Sequence, residues 1–98
     1  MSLTKVGQVW REVEEAPAYE VSDTGEVRHI YELCCLSQQV DENGLFHVTL
    51  LRKGKFIRRW VHVLVAEAFL GHPMGHKVIH LDGNTYNNRA DNLAWQPS

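Results

Sequence analysis

The chain has 98 residues, of which 44% are hydrophobic and 22% charged, and its formal net charge at pH 7 is −2. This length is sufficient for one small hydrophobic core and excludes two independently folding domains. The longest apolar run, residues 61–70, is interrupted by His62 and Glu67. It is shorter than the roughly 20 residues that a membrane helix requires, so no membrane association is expected.

Short alternating segments separated by turns fill the first 60 residues. Apolar and polar side chains alternate from Tyr19 and again over residues 26–33, with a glycine turn at residues 23–25 between them. A second turn, at residues 41–44, leads into further alternating segments that continue to Trp60. A period of two with glycine at the turns is typical of antiparallel strands. Residues 1–60 are therefore predicted to form a small antiparallel β meander.

The apolar period changes to that of a helix after Trp60. On a helix of 3.6 residues per turn, one side is formed by Val61, Leu64, Val65, Ala68 and Phe69. Gly71 and Pro73 then supply a stop signal. These residues predict one amphipathic helix that begins at residue 61 and ends near Leu70.

Two short strands are expected after the helix. The order is a loop to residue 77, a strand at 78–81, a polar loop at 82–91 and a strand at 92–95. The predicted fold class is therefore α+β, with an antiparallel β meander, one central helix and a C-terminal β-hairpin. We interpret residues 1–98 as a single domain, made of a β-rich part, 1–60, and a part with the helix and hairpin, 61–98.

The modest net charge conceals an asymmetry between the two halves. Residues 1–50 have three Lys and Arg against nine Asp and Glu, a net charge of −6, whereas residues 51–98 have seven against three, a net charge of +4. Five of the basic residues lie close together around Gly54: Arg52, Lys53, Lys55, Arg58 and Arg59. A strand pair that projects these cations can follow a phosphate backbone. The alternative is an ordinary solvated hairpin.

Motifs in both halves resemble those of one enzyme family. The helix carries an early His62, and it is followed by Val78-Ile79-His80-Leu81-Asp82-Gly83-Asn84 and then Asn87-Asn88-Arg89-Ala90-Asp91-Asn92-Leu93-Ala94-Trp95. This part resembles the HNH (His-Me finger) endonucleases of the phage homing type. Upstream, Trp10 and Tyr19-Glu20-Val21-Ser22-Asp23-Thr24-Gly25-Glu26-Val27-Arg28 are similar to the nuclease-associated module that precedes the HNH motif in many phage endonucleases.

The resemblance implies cleavage, most simply nicking, of double-stranded DNA with the help of Mg²⁺ or Mn²⁺. In that reading His80 is the general base that deprotonates a water, and Asn92 orients its imidazole. Arg89 contacts a phosphate or, alternatively, pairs with a nearby carboxylate. His62 is expected to make a structural hydrogen bond. With no recognisable secretory signal at the N-terminus, a cytoplasmic location in a bacterial or phage-infected cell is expected.

Two features depart from the family pattern. Ile79 occupies the position before the catalytic histidine, where the family has a metal-binding side chain, and the helix that should follow the second strand is missing. Asp82 is the candidate that can replace a lost metal ligand. A different hypothesis is a structural zinc site, because His72, His76 and His80 recur at intervals of four, although Pro73 argues against the continuous helix it needs.

Three functions follow from these observations. The first is an active DNA endonuclease with a divalent metal. The second is a catalytically inactive relative with no metal, which uses the fold to bind DNA or a protein partner, including a second copy of itself. The third is a piece of a longer nuclease that contains the missing metal ligand.

Overall fold

The computed structural model describes residues 8–32, 34–71 and 75–97. Strands β1 (Trp10–Val13), β2 (Ala16–Ser22) and β3 (Val27–His29) form one antiparallel sheet in that order. Tyr19 and Val21 are buried from β2, as the alternating pattern predicts. At the β2–β3 turn the Ser22 hydroxyl accepts hydrogen bonds from the backbone N–H groups of Thr24 and Glu26, at 3.2 and 3.0 Å.

A second antiparallel sheet contains β4 (Gln39–Val40), β5 (Phe46–Arg52) and β6 (Lys55–Trp60). The β5–β6 hairpin turns at Lys53 and Gly54, which have positive φ values of 51° and 78°. Val48 and Leu50 face the core, whereas Leu51 and its cross-strand partner Phe56 are exposed. This hairpin therefore has one buried face and one face with apolar side chains in solvent.

The prediction of one continuous meander is wrong in detail, since the strands form two separate sheets. The described residues between β3 and β4, 30–32 and 34–38, make no regular strand, and the Arg28–Cys35 bridge is isolated. A hydrogen bond connects the two sheets: the Leu51 N–H donates to the Tyr19 hydroxyl oxygen at 3.1 Å. The coarser expectation, a small α+β fold with antiparallel sheets and one helix, is correct for the described residues.

Helix α1 (Val61–Phe69) lies between the sheets and a C-terminal hairpin. It buries its predicted face, including Val61, Leu64 and Val65. The hairpin consists of β7 (His76–His80), a loop, a short 3₁₀ helix (Ala90–Asn92) and β8 (Leu93–Pro97). Strand β7 begins two residues earlier than expected, because the backbone pairing with β8 extends to His76 and Pro97. Pro73, the predicted stop signal, lies outside the described residues.

Buried side chains from both sheets, the helix and β8 make one core. Its apolar members are Val13, Ala16, Tyr19, Val21, Val27, Val48, Leu50, Val61, Leu64, Val65 and Leu93. Both parts of the chain contribute to it, so the helix and hairpin are not a separate packing unit in the described structure. Among the described residues, no helix is long and apolar enough to cross a membrane.

Two adjacent leucines on β5 test this packing. Leu50 is fully buried and Leu51 is 47% exposed. Leu50→Ala is expected to lower the free energy of unfolding by about 2–5 kcal/mol, because it leaves a cavity in the shared core. Leu51→Ala, the matched control, should change it by less than about 1 kcal/mol. Urea unfolding followed by circular dichroism measures both, and equal losses would contradict the assignment of faces.

Candidate active site at the β7–β8 hairpin

The candidate general base, His80, is the last residue of β7 and lies at the mouth of the polar loop. Its side chain is half-buried, and its Nε2 is 2.7 Å from Oδ1 of Asn88. Because an amide oxygen is an acceptor, this contact places the proton on Nε2 and leaves Nδ1 with a free lone pair. The arrangement gives His80 a fixed ring and one basic nitrogen.

Asn88, not Asn92, makes the hydrogen bond that orients His80. The register of the hairpin explains the difference. His80 pairs with Leu93, so the preceding residue, Asn92, lies beside Leu81 and turns its side chain toward Asp82. Nothing in the sequence distinguished Asn88 from the other Asn residues of the loop. Its hydrogen bond to His80 distinguishes it, and that contact is visible only in the structure.

Asn92 instead holds the loop together. Its Oδ1 accepts from the Asp82 N–H at 3.1 Å, and its Nδ2 donates to Asp82 Oδ1 and to the Asn87 carbonyl, both at 2.9 Å. A buried asparagine with all of these bonds satisfies its own polar atoms and those of the backbone around it. Asn92 therefore determines the shape of the segment that carries His80 and Asn88.

Asp82 is exposed, but both of its carboxylate oxygens are engaged. Oδ1 accepts from the Asn84 N–H at 2.8 Å as well as from Asn92, and Oδ2 accepts from Asn87 Nδ2 at 3.1 Å. These hydrogen bonds, first that of Asn84 and then those of Asn87 and Asn92, lower the pKa of the Asp82 carboxyl. The residue stays ionised and mainly organises the turn.

A divalent metal at this site would not be held by a ready-made cluster of three acidic, histidine or cysteine side chains. Over residues 8–32, 34–71 and 75–97 there is no group of three His, Cys, Asp or Glu side chains that could hold an ion. Ile79, beside His80, supplies no ligand atom, and the oxygens of Asp82 already serve the turn. For the zinc hypothesis, His72 lies outside the described residues, while His76 and His80 are at opposite ends of β7.

His62 lies in the helix directly beside His80. The two ring centroids are 5.1 Å apart, and Trp60 contacts the His62 ring at 5.7 Å. His62 is 7% exposed, and its Nδ1 has no hydrogen-bond partner, so the expected structural hydrogen bond is absent at that nitrogen. Burial, followed by the neighbouring His80, lowers the pKa of His62 to about 4. A neutral ring therefore packs beside the candidate base at neutral pH.

The basic residues near Gly54 differ in what they can bind. Arg52, Lys53, Lys55 and Arg58 are exposed at the β5–β6 hairpin. Arg59 points to the other face and is paired with Glu15 through two hydrogen bonds, of 2.7 and 2.9 Å. The Arg59 hydrogen bond holds the pKa of Glu15 below its usual value. Arg59 is thus a structural cation.

Arg89 and Arg28 also make local contacts. Arg89 Nε is 3.3 Å from Asp91 Oδ1 in an exposed pair, which agrees with the carboxylate alternative. Arg28 pairs with Glu20 at 2.7 Å and stacks over Trp10. Exposed pairs of the Arg89 kind contribute little to stability, so the Arg89 side chain is readily released to another anion.

The chain is similar in sequence to known endonucleases. Residues 59–98 match the family model described as HNH endonuclease. The chain is 41% identical over 78 residues to the DNA endonuclease I-HmuI of Bacillus phage SP01. It is 36% identical over 102 aligned positions to an HNH endonuclease of Acanthamoeba polyphaga mimivirus. The chain is a relative of the HNH homing endonucleases.

The structural comparison extends the relationship to the first half of the chain. The structure described as DNA binding and cleavage by the HNH homing endonuclease I-HmuI superposes with a TM-score of 0.83 at 36% identity. The match covers 91% of this chain and 52% of that chain. The sequence match to the phage enzyme covers 79% of this chain and 45% of that enzyme. The match to the mimivirus protein covers 96% of this chain and 25% of that protein. The chain therefore spans about half or less of the length of these relatives.

The buried, neutral His62 predicts a defined loss of stability in acid. Its pKa rises from about 4 when folded to an ordinary value of 6.5 when unfolded, so the unfolded chain binds the extra proton. The free energy of unfolding should be highest above pH 6.5 and fall as the pH drops toward 4, by about 2 kcal/mol between pH 7 and pH 4.5.

The control is His62→Phe, which keeps a planar ring and removes the titrating group. Urea unfolding curves at the two pH values should show a smaller difference for this variant by about the same 2 kcal/mol. An identical pH dependence in both proteins would mean that His62 titrates normally in the folded state.

Proposed function

We propose that this chain is an HNH-type DNA endonuclease that nicks duplex DNA, with His80 as the general base. The observation that carries the proposal is the 2.7 Å contact of His80 Nε2 with the buried Asn88, which leaves Nδ1 as the basic nitrogen. A general base must have a defined tautomer and a fixed ring to abstract a proton efficiently. The relationship to I-HmuI, a DNA endonuclease, supports the choice of substrate.

The proposed chemical step is hydrolysis of one phosphodiester bond. Nδ1 of His80 accepts a proton from a water molecule while the water oxygen attacks phosphorus. The bond from phosphorus to the leaving sugar oxygen breaks, and that oxygen takes a proton from solvent. Asn88 remains bonded to Nε2 and stabilises the imidazolium that forms, and Asn92 keeps the loop in the shape that presents His80.

In this proposal the C-terminal hairpin corresponds to the two strands of a ββα-metal finger. Relatives of this family use a divalent ion, Mg²⁺ or Mn²⁺, as an electrophile. Because the described residues lack a three-ligand cluster, no step is assigned to a metal here. Asp82 is the described side chain nearest in sequence to His80 that offers oxygen atoms for one.

The exposed cations of the β5–β6 hairpin are proposed to hold the DNA backbone. Arg52, Lys53, Lys55 and Arg58 surround a tip whose exposed face also carries Phe56. Cations in this arrangement neutralise phosphates and give binding that weakens with salt. Arg59 is omitted from the proposed set because Glu15 neutralises it, and Arg89 remains a candidate because its pair with Asp91 is exposed.

The second candidate function is a catalytically inactive module that binds DNA or a protein partner. Ile79 favours it, since this side chain pairs with Ala94 in the hairpin and offers no ligand atom where the family has a metal-binding residue. This module would retain DNA binding through the hairpin cations and would show no cleavage with any divalent ion.

A nicking assay on supercoiled plasmid separates the two functions. With Mg²⁺ or Mn²⁺ present, the wild-type protein should convert plasmid to the open circle, and EDTA should stop the reaction. His80→Ala should reduce the rate at least ~100-fold, because the general base is lost. His76→Ala, on the same strand but remote from the loop, is the matched control and should retain the wild-type rate. Absence of nicking by correctly folded wild-type protein would favour the inactive module.

DNA binding is tested by a fourfold variant, Arg52→Gln, Lys53→Gln, Lys55→Gln and Arg58→Gln. If all four residues contact phosphates, the slope of log K against log salt should become shallower by about 3 to 4 units. Arg11→Gln, which removes a cation from β1, is the control and should leave the slope unchanged. Fluorescence anisotropy with a labelled duplex measures the slope. An unaltered slope in the fourfold variant would identify the hairpin as merely solvated.

A further inference from the structure

The turn between β2 and β3 lies against the loop that carries Asn88. The Ala90 N–H donates to the Asp23 carbonyl at 2.8 Å, which is a backbone bond between the first sheet and the site loop. Gly25 and Asn88 also lie close together at this junction. A Cβ atom placed on Gly25 would be 3.1 Å from Cβ of Asn88 and 3.2 Å from the Asn88 carbonyl oxygen.

Gly25 has no room to withdraw from this contact. Its N–H donates to the Ser22 carbonyl at 3.1 Å, and its carbonyl accepts from Gln38 Nε2 at 2.9 Å. Its φ of +97° is a conformation that residues with a Cβ rarely adopt. The turn is therefore held from both sides, and glycine is required there by its backbone conformation and by the Asn88 contact.

Asn88 has equally little freedom. It is 5% exposed, its Cβ and carbonyl oxygen lie 3.1 and 3.2 Å from the place that a Cβ on Gly25 would take, and its Oδ1 bonds His80 Nε2. Displacement of Asn88 by a few tenths of an ångström toward or away from the ring changes a hydrogen bond that is only 2.7 Å long. A shift of the β2–β3 turn would therefore move Asn88 and alter its hydrogen bond to His80.

We propose that Gly25 is a positioning residue for His80, and that the β2–β3 turn sets the orientation and tautomer of the imidazole through Asn88. The inference rests on the proposed function in treating His80 as the general base. The hydrogen bond itself can be observed without any reaction. In this view the turn of the first sheet, which is far from the HNH motif in sequence, helps to position a residue of that motif.

The first experiment reads the tautomer of His80 by long-range ¹H–¹⁵N NMR on the full chain, with His80→Gln to assign its signals. The wild-type ring should be in the Nε2–H form. Gly25→Ala pushes Asn88 away from its position and should convert the ring to a mixture of the two tautomers. The matched control is Gly71→Ala, since Gly71 also has a positive φ, +84°, but a Cβ there meets no atom within 4 Å. The control should keep the wild-type tautomer.

A second variant protects the test in case Gly25→Ala fails to fold. Ala90→Pro deletes the N–H that bonds the Asp23 carbonyl and places the proline ring against that oxygen. Proline suits this position, because Ala90 begins the 3₁₀ helix and Arg89 before it is extended, with ψ 143°. The variant should separate the turn from the loop and produce the same mixture of tautomers.

Nicking kinetics and a double-mutant cycle complete the experiment. Gly25→Ala should lower kcat about 10- to 100-fold with little change in KM, as expected for a misplaced base. In an Asn88→Ala background, Gly25→Ala should have no further effect on the tautomer or on kcat, because both act through one hydrogen bond.

The possible results separate the inference about Gly25 from the proposed nuclease function. A folded Gly25→Ala or Ala90→Pro protein with a purely Nε2–H His80 would overturn the inference, as would additive effects in the Asn88→Ala background. If wild type does not nick but the tautomer responds as described, the proposed function fails and the coupling between the turn and His80 stands.

Discussion

The structure depends on the burial of helix α1 against every other part of the fold. Val61, Leu64 and Val65 meet side chains from both sheets and from β8 in a single core. The helix covers the apolar faces of both three-stranded sheets and the β7–β8 hairpin packs against it, so loss of the helix would expose much of the shared core. The same helix places His62 beside His80, so the element that stabilises the fold also forms one wall of the candidate site.

The polar loop between β7 and β8 is ordered by side-chain hydrogen bonds in place of regular secondary structure. Hydrogen bonds join the side chains of Asn92 and Asp82 to each other and join Asn92 to the Asn87 carbonyl. The buried Asn88 bonds His80 instead. Short amide and carboxylate side chains suit such a segment because they can bond the backbone groups of the same loop. The abundance of Asn in the loop thus reflects how its shape is maintained.

Acidic and basic side chains are divided unevenly between the two halves of the chain. The acidic first half uses several of its carboxylates to neutralise cations, as Glu15 does for Arg59 and Glu20 for Arg28. Four of the exposed cations, Arg52, Lys53, Lys55 and Arg58, lie together at the β5–β6 hairpin. A family relationship to a DNA endonuclease of Bacillus phage SP01 is consistent with that surface, although this chain spans 45% of that relative.

The sequence by itself determined the α+β class and the helix at residue 61, and it made His80 the candidate general base, because periodicity and short motifs are local signals. Only the tertiary structure decided that Asn88 rather than Asn92 bonds His80, since the choice depends on the hairpin register that pairs His80 with Leu93. It also decided that Arg59 is neutralised by Glu15, and that Gly25 lies against Asn88. These contacts join residues that are distant in the chain, and such contacts arise only when the helix and both sheets pack together.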